Sequence, residues 1–202
     1  MKTLSFMTYA SLFSLLLFLF SCADDDTPST EPMKEQLQAL TGTYMDLEPY
    51  AYGEAFGQRI FTFEDGTWTL RFTLGLDPQL TQPVFEFRTY GTYQVLDPSA
   101  AVEGAYEALF LEEKKFLTLK TDNEQLVAAF GLAGCGLEAE VEKDISVEGC
   151  ALWPPVADCN EDHDLLSLDE QGLLYFGVRP ADNNMCTADR RPTALTPGVS
   201  KI

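Results

Sequence analysis

The chain has 202 residues, and 32 acidic against 13 basic side chains give it a formal net charge of −19. A field of that sign repels phosphate backbones and anionic headgroups, which argues against nucleic acid as a partner. The length beyond the N-terminal segment suits one domain with its own hydrophobic core and leaves no room for two.

The N-terminal segment has the features of a bacterial lipoprotein signal. Lys2 precedes an apolar run at 12–20, and Ser21 and Cys22 follow that run directly. The run is too short to cross a bilayer, which takes about 20 apolar residues in a helix. We therefore predict a cleaved signal peptide over residues 1–21 and a lipid on Cys22. The alternative is an ordinary secretory signal that is cleaved elsewhere.

Residues 22–33 are predicted to be a flexible tether between the lipid and the domain. Three aspartates at 24–26 stand behind the cysteine, and two prolines follow without apolar periodicity. An acidic run at this place resembles the export signal of surface-exposed lipoproteins in the Bacteroidota, although three aspartates also simply solvate a tether. We expect an outer-membrane lipoprotein exposed at the cell surface, with a single domain over 34–202.

From residue 40 onwards the pattern predicts short antiparallel strands. After a helical stretch at 33–40, apolar and polar residues alternate on both sides of an Asp65-Gly66 turn, which indicates a β-hairpin. The alternation recurs through 105–111 and 116–120, and strands resume at 138–147 and 173–178. One helix is predicted between them at 122–132, with Thr121 or Asp122 as its cap. This spacing is typical of an all-β barrel or sandwich with one or two short helices.

The cysteines predict disulfides rather than a metal site. With Cys22 assigned to lipid, an even set remains in an exported protein, which favours two disulfides among Cys135, Cys150, Cys159 and Cys186. Zinc is the competing hypothesis, but no pair has two-residue spacing and the chain has one histidine, His163. We expect no metal and no cofactor.

An acidic segment at 158–169 invites a second metal hypothesis. It places oxygen donors at the ligand positions of a calcium loop, namely Asp158, Asn160, Asp162, Asp164 and Asp169. The fit fails because His163 stands where the loop needs glycine, the last ligand is a short aspartate, and no helices flank the segment. We interpret it as a solvated acidic loop.

The sequence gives no support for an enzyme. His163 between two aspartates has the chemistry of a general base, but no nucleophile elbow, Walker loop or dinucleotide fingerprint accompanies it. Arg179, Arg190 and Arg191 are close in sequence to two aspartates. We interpret these arginines as structural ion-pair partners at a barrel seam, with recognition of an anionic headgroup as the alternative.

Several motifs recur in an order typical of one family of extracellular proteins. The chain has a Leu-x-Gly-x-aromatic step at 40–44, an aromatic strand, turn and tryptophan strand at 61–68, and Gly-x-Tyr at 91–93. Cys-Gly at 135–136, Gly-Cys at 149–150, the strand at 173–182 and Arg-Pro-Thr at 191–193 complete the order. In these motifs the chain resembles the adenomatosis polyposis coli down-regulated protein family, over about 40–195.

The resemblance implies an antiparallel β-barrel, lipocalin-like in general architecture, with a hydrophobic cavity that takes an acyl or other lipid chain. It also implies that Cys135 pairs with Cys150, which leaves Cys159 to pair with Cys186. The chain departs from vertebrate members, which carry two tandem copies and a C-terminal anchor, and it lacks the cysteines of their first strands. A true lipocalin relationship explains less, because the internal helix and the Cys-Gly steps do not belong to that pattern.

In such a barrel one face of each strand points inward. We therefore expect a hydrophobic or amphipathic ligand, such as a lipid, to contact Phe61, Phe63, Trp68, Leu70, Phe72, Phe85, Phe87, Tyr93, Phe110 and Phe176. The protein is expected to be a monomer whose only contact with the membrane is the N-terminal lipid. The alternative is a non-enzymatic structural or adhesive surface module with a filled core, which acts through protein or glycan contacts.

Overall fold

A β-hairpin forms where the alternation of apolar and polar residues is strongest. In the computed structural model, which describes residues 31–202, strand β3 (Ala55–Glu64) pairs antiparallel with strand β4 (Thr67–Gly75). Asp65 and Gly66 connect them with φ angles of 47° and 78°. Two central residues with positive φ give a turn whose twist matches that of the strands. The predicted hairpin is confirmed.

The hairpin is part of one antiparallel sheet. Among residues 31–202 the sheet has ten strands, in the order β10-β1-β3-β4-β5-β6-β8-β9, with β2 on β3 and β7 on β6. The other strands are β1 (Gly42–Met45), β2 (Tyr50–Tyr52), β5 (Pro83–Pro98), β6 (Tyr106–Leu119), β7 (Glu142–Asp144), β8 (Glu161–Leu168), β9 (Leu174–Phe176) and β10 (Ser200–Lys201). The described helices are α1 (Glu31–Gln38) and α2 (Glu124–Ala129), and 3-10 turns lie at Ala133–Cys135 and Ala188–Arg190.

The C-terminal segment brings the two edges of the sheet together. Leu174 and Val199 exchange backbone hydrogen bonds of 3.0 and 2.8 Å, which attaches this segment to β9. Two residues further on, Lys201 pairs with Tyr44 of β1. The sheet is therefore nearly closed into a barrel, as predicted for an all-β fold.

A buried ion pair between Arg59 of β3 and Asp46, which follows β1, binds this closing segment. The Arg59 guanidinium binds the Asp46 carboxylate through Nε at 3.0 Å and Nη2 at 2.7 Å. The same guanidinium donates to Thr196 Oγ1 at 2.5 Å and to the Pro197 carbonyl at 2.8 Å. Both partners are buried, so the pair is held away from competing water.

We expect Asp46→Ala to lower the free energy of unfolding by about 3–5 kcal/mol, because it leaves the Arg59 charge buried without a partner. Urea unfolding monitored by tryptophan fluorescence measures the change. The matched control is Arg71→Ala, which breaks an ion pair with Glu86 whose arginine is 53% exposed. Its expected loss is below about 1 kcal/mol. Equal losses in the two variants would contradict the role given to Asp46.

One end of the barrel is covered by α1. Leu37 of this helix is fully buried, and Met33 packs against the same core cluster. The Tyr93 hydroxyl accepts from the Leu40 N–H at 3.2 Å and lies 3.0 Å from the Leu37 carbonyl, so it fixes the end of the helix to β5. The helix begins at Glu31, three residues before the predicted domain boundary of 34. The predicted signal at 1–21, Cys22 and the tether as far as residue 30 lie outside the described residues.

The other end of the barrel is filled by a second apolar cluster around α2. Leu132, Ile145 and Cys150 are buried there, and Trp153 packs against them. The helix is shorter than predicted, and Asn123 caps it by accepting from two backbone N–H groups, instead of Thr121 or Asp122. The strand predicted at 138–147 is three residues long, because a turn at residue 140 precedes it and a turn that begins at residue 146 follows it.

Strand β6 differs most from the prediction, which divided it into 105–111 and 116–120. It is one strand with a bulge. Tyr90 of β5 pairs with Lys114, whereas its neighbour Gly91 pairs with Glu112, so Glu113 has no partner on β5. An extra residue reverses the alternation of side chains beyond it. Glu112 before the bulge and Lys115 after it therefore both face the interior.

The bulge requires glycine at position 91. A Cβ atom there would lie 1.8 Å from the Leu111 carbonyl oxygen, so the backbones must separate for any larger residue. We expect Gly91→Ala to lower the free energy of unfolding by about 2 kcal/mol. Gly134→Ala is the control, since a Cβ there meets nothing within 4 Å. Urea titrations of both variants in parallel test the expectation, and an unchanged Gly91→Ala protein would contradict it.

Candidate functional site

A cavity of about 1110 Å³ lies in the barrel interior. Its wall includes side chains from both core clusters, such as Phe61 and Phe110 from one and Phe85 and Phe87 from the other. Pockets for small molecules usually measure about 300–1,000 Å³. The space is therefore large enough for an entire small ligand.

The structure places eight of the ten predicted ligand-binding residues at the cavity wall, namely Phe61, Trp68, Leu70, Phe72, Phe85, Phe87, Phe110 and Phe176. Phe63 and Tyr93 do face inward, but they belong to the core at the end covered by α1. Their rings lie 5.1 Å apart there. Alternation identifies the inward face of a strand, but it gives no position along the barrel axis, so it does not separate these two residues from those at the cavity wall.

Further aromatic residues reach the cavity from outside the main strand faces and were missed by the sequence analysis. Trp153 follows β7 in a turn and stacks on Phe87, with ring centroids 4.9 Å apart. Tyr50, Tyr52 and Phe130 also line the wall. Their segments carry no alternation, and the Pro154-Pro155 bend beside Trp153 was the only local signal.

The cavity has an apolar rim that is exposed to solvent. The side chains at this rim both line the cavity and remain accessible, and they are Tyr52, Leu76, Leu152 and Val178. Leu152, the most exposed of the four, is 52% accessible, and the informative feature is that these apolar side chains share one rim. An apolar opening of this kind gives a hydrophobic molecule a path from solvent into the barrel.

One part of the wall is charged, where β6 and β8 pair. Lys115 Nζ lies 2.8 Å from Glu112 Oε2, and Lys115 owes its inward position to the bulge. The same ammonium donates to the carbonyls of Cys159 at 2.8 Å and Pro154 at 3.2 Å. Lys115 thus uses its three donors on protein acceptors. Burial raises the pKa of Glu112, and the nearby Asp162 charge adds to that effect.

A second charged pair joins β8 to the segment after β9. Arg179 binds Asp162 with two hydrogen bonds, of 2.5 and 3.0 Å, and its Nε donates to Asn183 at 2.6 Å. A bidentate pair of this type is strong and fixes the direction of the guanidinium. Within the part of the chain that the structure describes, Arg179 is the only one of the three highlighted arginines at the cavity wall.

The other two arginines have structural contacts. Arg190 pairs with Asp182 in an exposed loop. Arg191 donates from Nη1 to the backbone carbonyls of Ala108 and Asp164 at 2.8 and 2.7 Å, so it fastens the C-terminal segment to β6 and β8. These contacts agree with the ion-pair interpretation of the arginines rather than with recognition of a headgroup.

Asp164 is the most unusual charged group of the cavity. Its Oδ1 accepts from the backbone N–H groups of Leu165 at 2.7 Å and Gly177 at 2.8 Å. Over residues 31–202 no lysine, arginine or histidine forms a salt bridge with it. The pKa of Asp164 is raised to about 7; burial is the largest cause, the Asp162 charge acts in the same direction, and Arg179 acts against them.

Thr89 adds an unpaired hydroxyl to the same cavity. It is 1% exposed and lines the wall, and its Oγ1 has no hydrogen-bond partner among the described residues. In the sheet register it stands opposite Lys115. A buried hydroxyl without a partner costs about 1–3 kcal/mol. Nothing in the sequence distinguished this threonine from others on alternating strands.

The acidic segment at 158–169 is not the solvated loop that was predicted, because residues 161–168 form β8. Asp162 and Asp164 point inward on this strand, whereas His163 lies between them on the other face, 3.1 Å from Glu161 Oε2. No group of three or more histidine, cysteine or acidic side chains with metal-site geometry occurs in residues 31–202. Extended backbone separates the ligands that a calcium loop would bring together.

Both predicted disulfides form. Cys135 pairs with Cys150 and Cys159 pairs with Cys186, with Cα atoms 5.5 and 5.4 Å apart. The first ends at Cys150, three residues before Trp153, and the second begins at Cys159, whose carbonyl Lys115 binds. The disulfides therefore restrain the two segments that complete the cavity wall outside the strands.

The comparisons give no family assignment. Neither the scan against protein-family models nor the search of curated proteins finds a match for this chain. The similarity to the adenomatosis polyposis coli down-regulated family therefore rests on the order of motifs alone and stays a prediction. Of the helices in residues 31–202, none has the length and apolar character to span a bilayer.

The raised pKa of Asp164 predicts a dependence of stability on pH. Its pKa lies above its ordinary value of 3.8, so the folded state holds a proton that the unfolded state releases. The contribution of this proton to the free energy of unfolding is fully present below about pH 4 and is lost as the pH rises through about 7. We expect Asp164→Asn to flatten the fall in unfolding free energy between pH 4.5 and 7.5.

Urea unfolding at the two pH values measures the slope in the wild type and the variant. Glu112 contributes in the same direction, so part of the slope should remain in Asp164→Asn. An exposed carboxylate, Asp97, supplies the control variant Asp97→Asn, which should keep the wild-type slope. A slope in Asp164→Asn as steep as in the wild type would contradict the assignment.

Proposed function

We propose that this protein binds a hydrophobic or amphipathic small molecule in the interior of its barrel. The observation that carries the proposal is the cavity of about 1110 Å³ lined by aromatic side chains. A surface module with a filled core, the rival hypothesis, has no use for such a space, and its side chains would gain packing energy by closing it. We propose no catalytic role and no cofactor.

The chemistry of the wall suits a molecule with an apolar body. Phe72, Phe85 and Phe87 line one side of the cavity, and Phe61 and Phe176 stack with centroids 3.8 Å apart on another. Each methylene of a ligand that leaves water for such surroundings contributes about 0.8 kcal/mol. The apolar rim extends the same character to the opening, which supports entry from solvent or from a membrane surface.

The proposed setting is the cell surface, where a lipid on Cys22 and a tether would hold a monomeric barrel near the outer membrane. A position of this kind suits capture or storage of a poorly soluble molecule rather than its chemical conversion. The motif order that resembles the adenomatosis polyposis coli down-regulated protein family adds the same expectation of a lipid-like ligand.

Native mass spectrometry of a protein comprising residues 31–202 tests the proposal. This segment contains the entire described sheet, both core clusters and both disulfides, so it retains every contact of the cavity. We expect a co-purifying small molecule, identified by organic extraction, or uptake of added long-chain amphiphiles at one per protein. A protein that stays ligand-free in both experiments would favour the filled-core surface module.

A cavity-filling substitution separates interior from surface binding. Leu70 lines the cavity, and Leu70→Trp adds a bulky ring to that space. We expect it to weaken uptake at least about tenfold, since a lost apolar contact surface of this size corresponds to 1.4 kcal/mol or more. Thr92→Trp, on the exposed face of β5, is the control and should bind as the wild type does. Equal uptake by both variants would place the ligand outside the barrel.

A further inference from the structure

We propose that the ligand of this cavity carries a protonated amine as its polar group, and that Asp164 binds this amine. The inference rests on the proposed function, because it names the polar end of the molecule that the apolar wall would hold. It follows from the charges of the wall and from the aromatic rings beside Asp164.

The charges of the wall leave one buried carboxylate for a ligand. Each cation at the wall already has a carboxylate among residues 31–202: Arg59 pairs with Asp46, Lys115 with Glu112, and Arg179 with Asp162. Asp164 is buried beside these pairs without a cation of its own. A ligand cation would neutralise it, whereas a carboxylate would add a second uncompensated negative charge to a poorly hydrated site.

The Thr89 hydroxyl is an independent sign that something polar belongs in the cavity. Lys115 stands opposite it in the sheet but has its three donors on Glu112, Pro154 and Cys159, so it has none left for Thr89. An ammonium group has three N–H donors and no acceptor. An ammonium at Asp164 would supply the cation that this carboxylate lacks. Thr89 stands six residues along β5 from Val95, the residue that lies in line with Asp164 across Ala108, so its hydroxyl is a separate polar contact for the ligand.

Aromatic rings stand beside the carboxylates. Phe110 is the register partner of Asp162, and Phe176 immediately precedes Gly177, whose N–H binds Asp164. Both rings line the cavity, and Trp68 packs on Phe110 with centroids 4.8 Å apart. The faces of such rings attract a cation, by about 2 kcal/mol when it is desolvated. The same surface gives no such attraction to a carboxylate.

Three amphiphiles with one alkyl chain and different polar groups test the inference: decylamine, decanol and decanoate. Their affinities are compared by displacement of the neutral fluorophore N-phenyl-1-naphthylamine at pH 7.5, below the critical micelle concentrations. We expect decylamine to bind at least about tenfold more tightly than decanoate, with decanol between them, as for a site that distinguishes charge. This comparison needs no variant protein.

Variants identify the groups responsible. Asp164→Asn keeps the shape of the side chain and removes its charge, and it should weaken decylamine about tenfold while leaving decanol within about twofold. Thr89→Val removes the hydroxyl at constant volume and, because Thr89 stands six residues along the sheet from the line of Asp164, should leave the preference for decylamine over decanoate within about twofold. Asp97→Asn, on the exposed end of β5, should leave all three affinities unchanged.

Binding should also depend on pH. Decylamine stays protonated between pH 5.5 and 7.5, as a lysine side chain does. Its affinity should increase over this range as Asp164 ionises, and the increase should be absent for decanol and in Asp164→Asn. The charged groups that face or contact Asp164 are Asp162, Arg179, Glu112, Lys115 and Arg191.

The outcomes separate this inference from the proposed function. Preference for decylamine that depends on Asp164 supports both. Binding in which decanoate equals or exceeds decylamine, or in which Asp164→Asn leaves decylamine unaffected, overturns the inference while the proposed function stands. Failure of all three compounds to displace the fluorophore, in a protein with the far-ultraviolet circular dichroism of a β-sheet, overturns both.

Discussion

The bulge at Glu113 is the constraint on which the rest of the barrel interior depends. Before it, Tyr106, Ala108 and Phe110 face inward; after it, Lys115, Leu117 and Leu119 do. With an uninterrupted alternation, the second set would point to solvent, and the apolar cluster under α2 would lose two of its buried leucines. One unpaired residue therefore decides both the second core and the polar part of the cavity. Gly91 makes the arrangement possible, because only a residue without Cβ fits against the bulged backbone.

Burying charge in this interior costs stability, and the fold offsets most of that cost by pairing. Arg59, Lys115 and Arg179 each have a carboxylate and additional carbonyl or side-chain acceptors. Among the described residues Asp164 accepts two backbone N–H groups but has no cation, and the Thr89 hydroxyl has no hydrogen-bond partner, although apolar residues of similar size would fit these positions without a desolvation penalty. Unsatisfied groups that persist in a well-packed protein are characteristic of functional sites. This contrast is the physical reason for placing the polar end of a ligand here.

The parts of the fold that were predictable from sequence have local causes. Asp65-Gly66 specifies a hairpin turn by its backbone preferences, and the alternation at 61–74 and 85–95 specifies inward faces by burial of apolar side chains. The even cysteine count indicates two disulfides, but their connectivity came from the motif order of a known family.

Strand β8 was missed because its inward positions carry Asp162 and Asp164. A sequence analysis that expects apolar residues at inward positions interprets such a segment as a loop. The bulge was missed for a related reason, since a reversal of alternation looks like the end of one strand and the start of another. The inward position of Lys115 depends on that reversal, and the partners of Thr89, Glu112 and Lys115 depend on packing in three dimensions, which no local pattern contains.

The two halves of the cavity come from different parts of the chain and differ in character. Strands β3, β4 and β5 supply mostly aromatic and aliphatic side chains, whereas β6, β8 and the segment after β9 supply the carboxylates and their cations. A purely apolar ligand would leave Asp164 and Thr89 unsatisfied, and a small polar one would leave the aromatic wall in contact with water. A molecule with both kinds of surface satisfies the whole wall, and the residual negative charge of the polar half favours a cationic group over an anionic one. The net charge of −19 acts in the same direction over longer distances, because it attracts a cation to the barrel and repels an anion before either reaches the apolar rim.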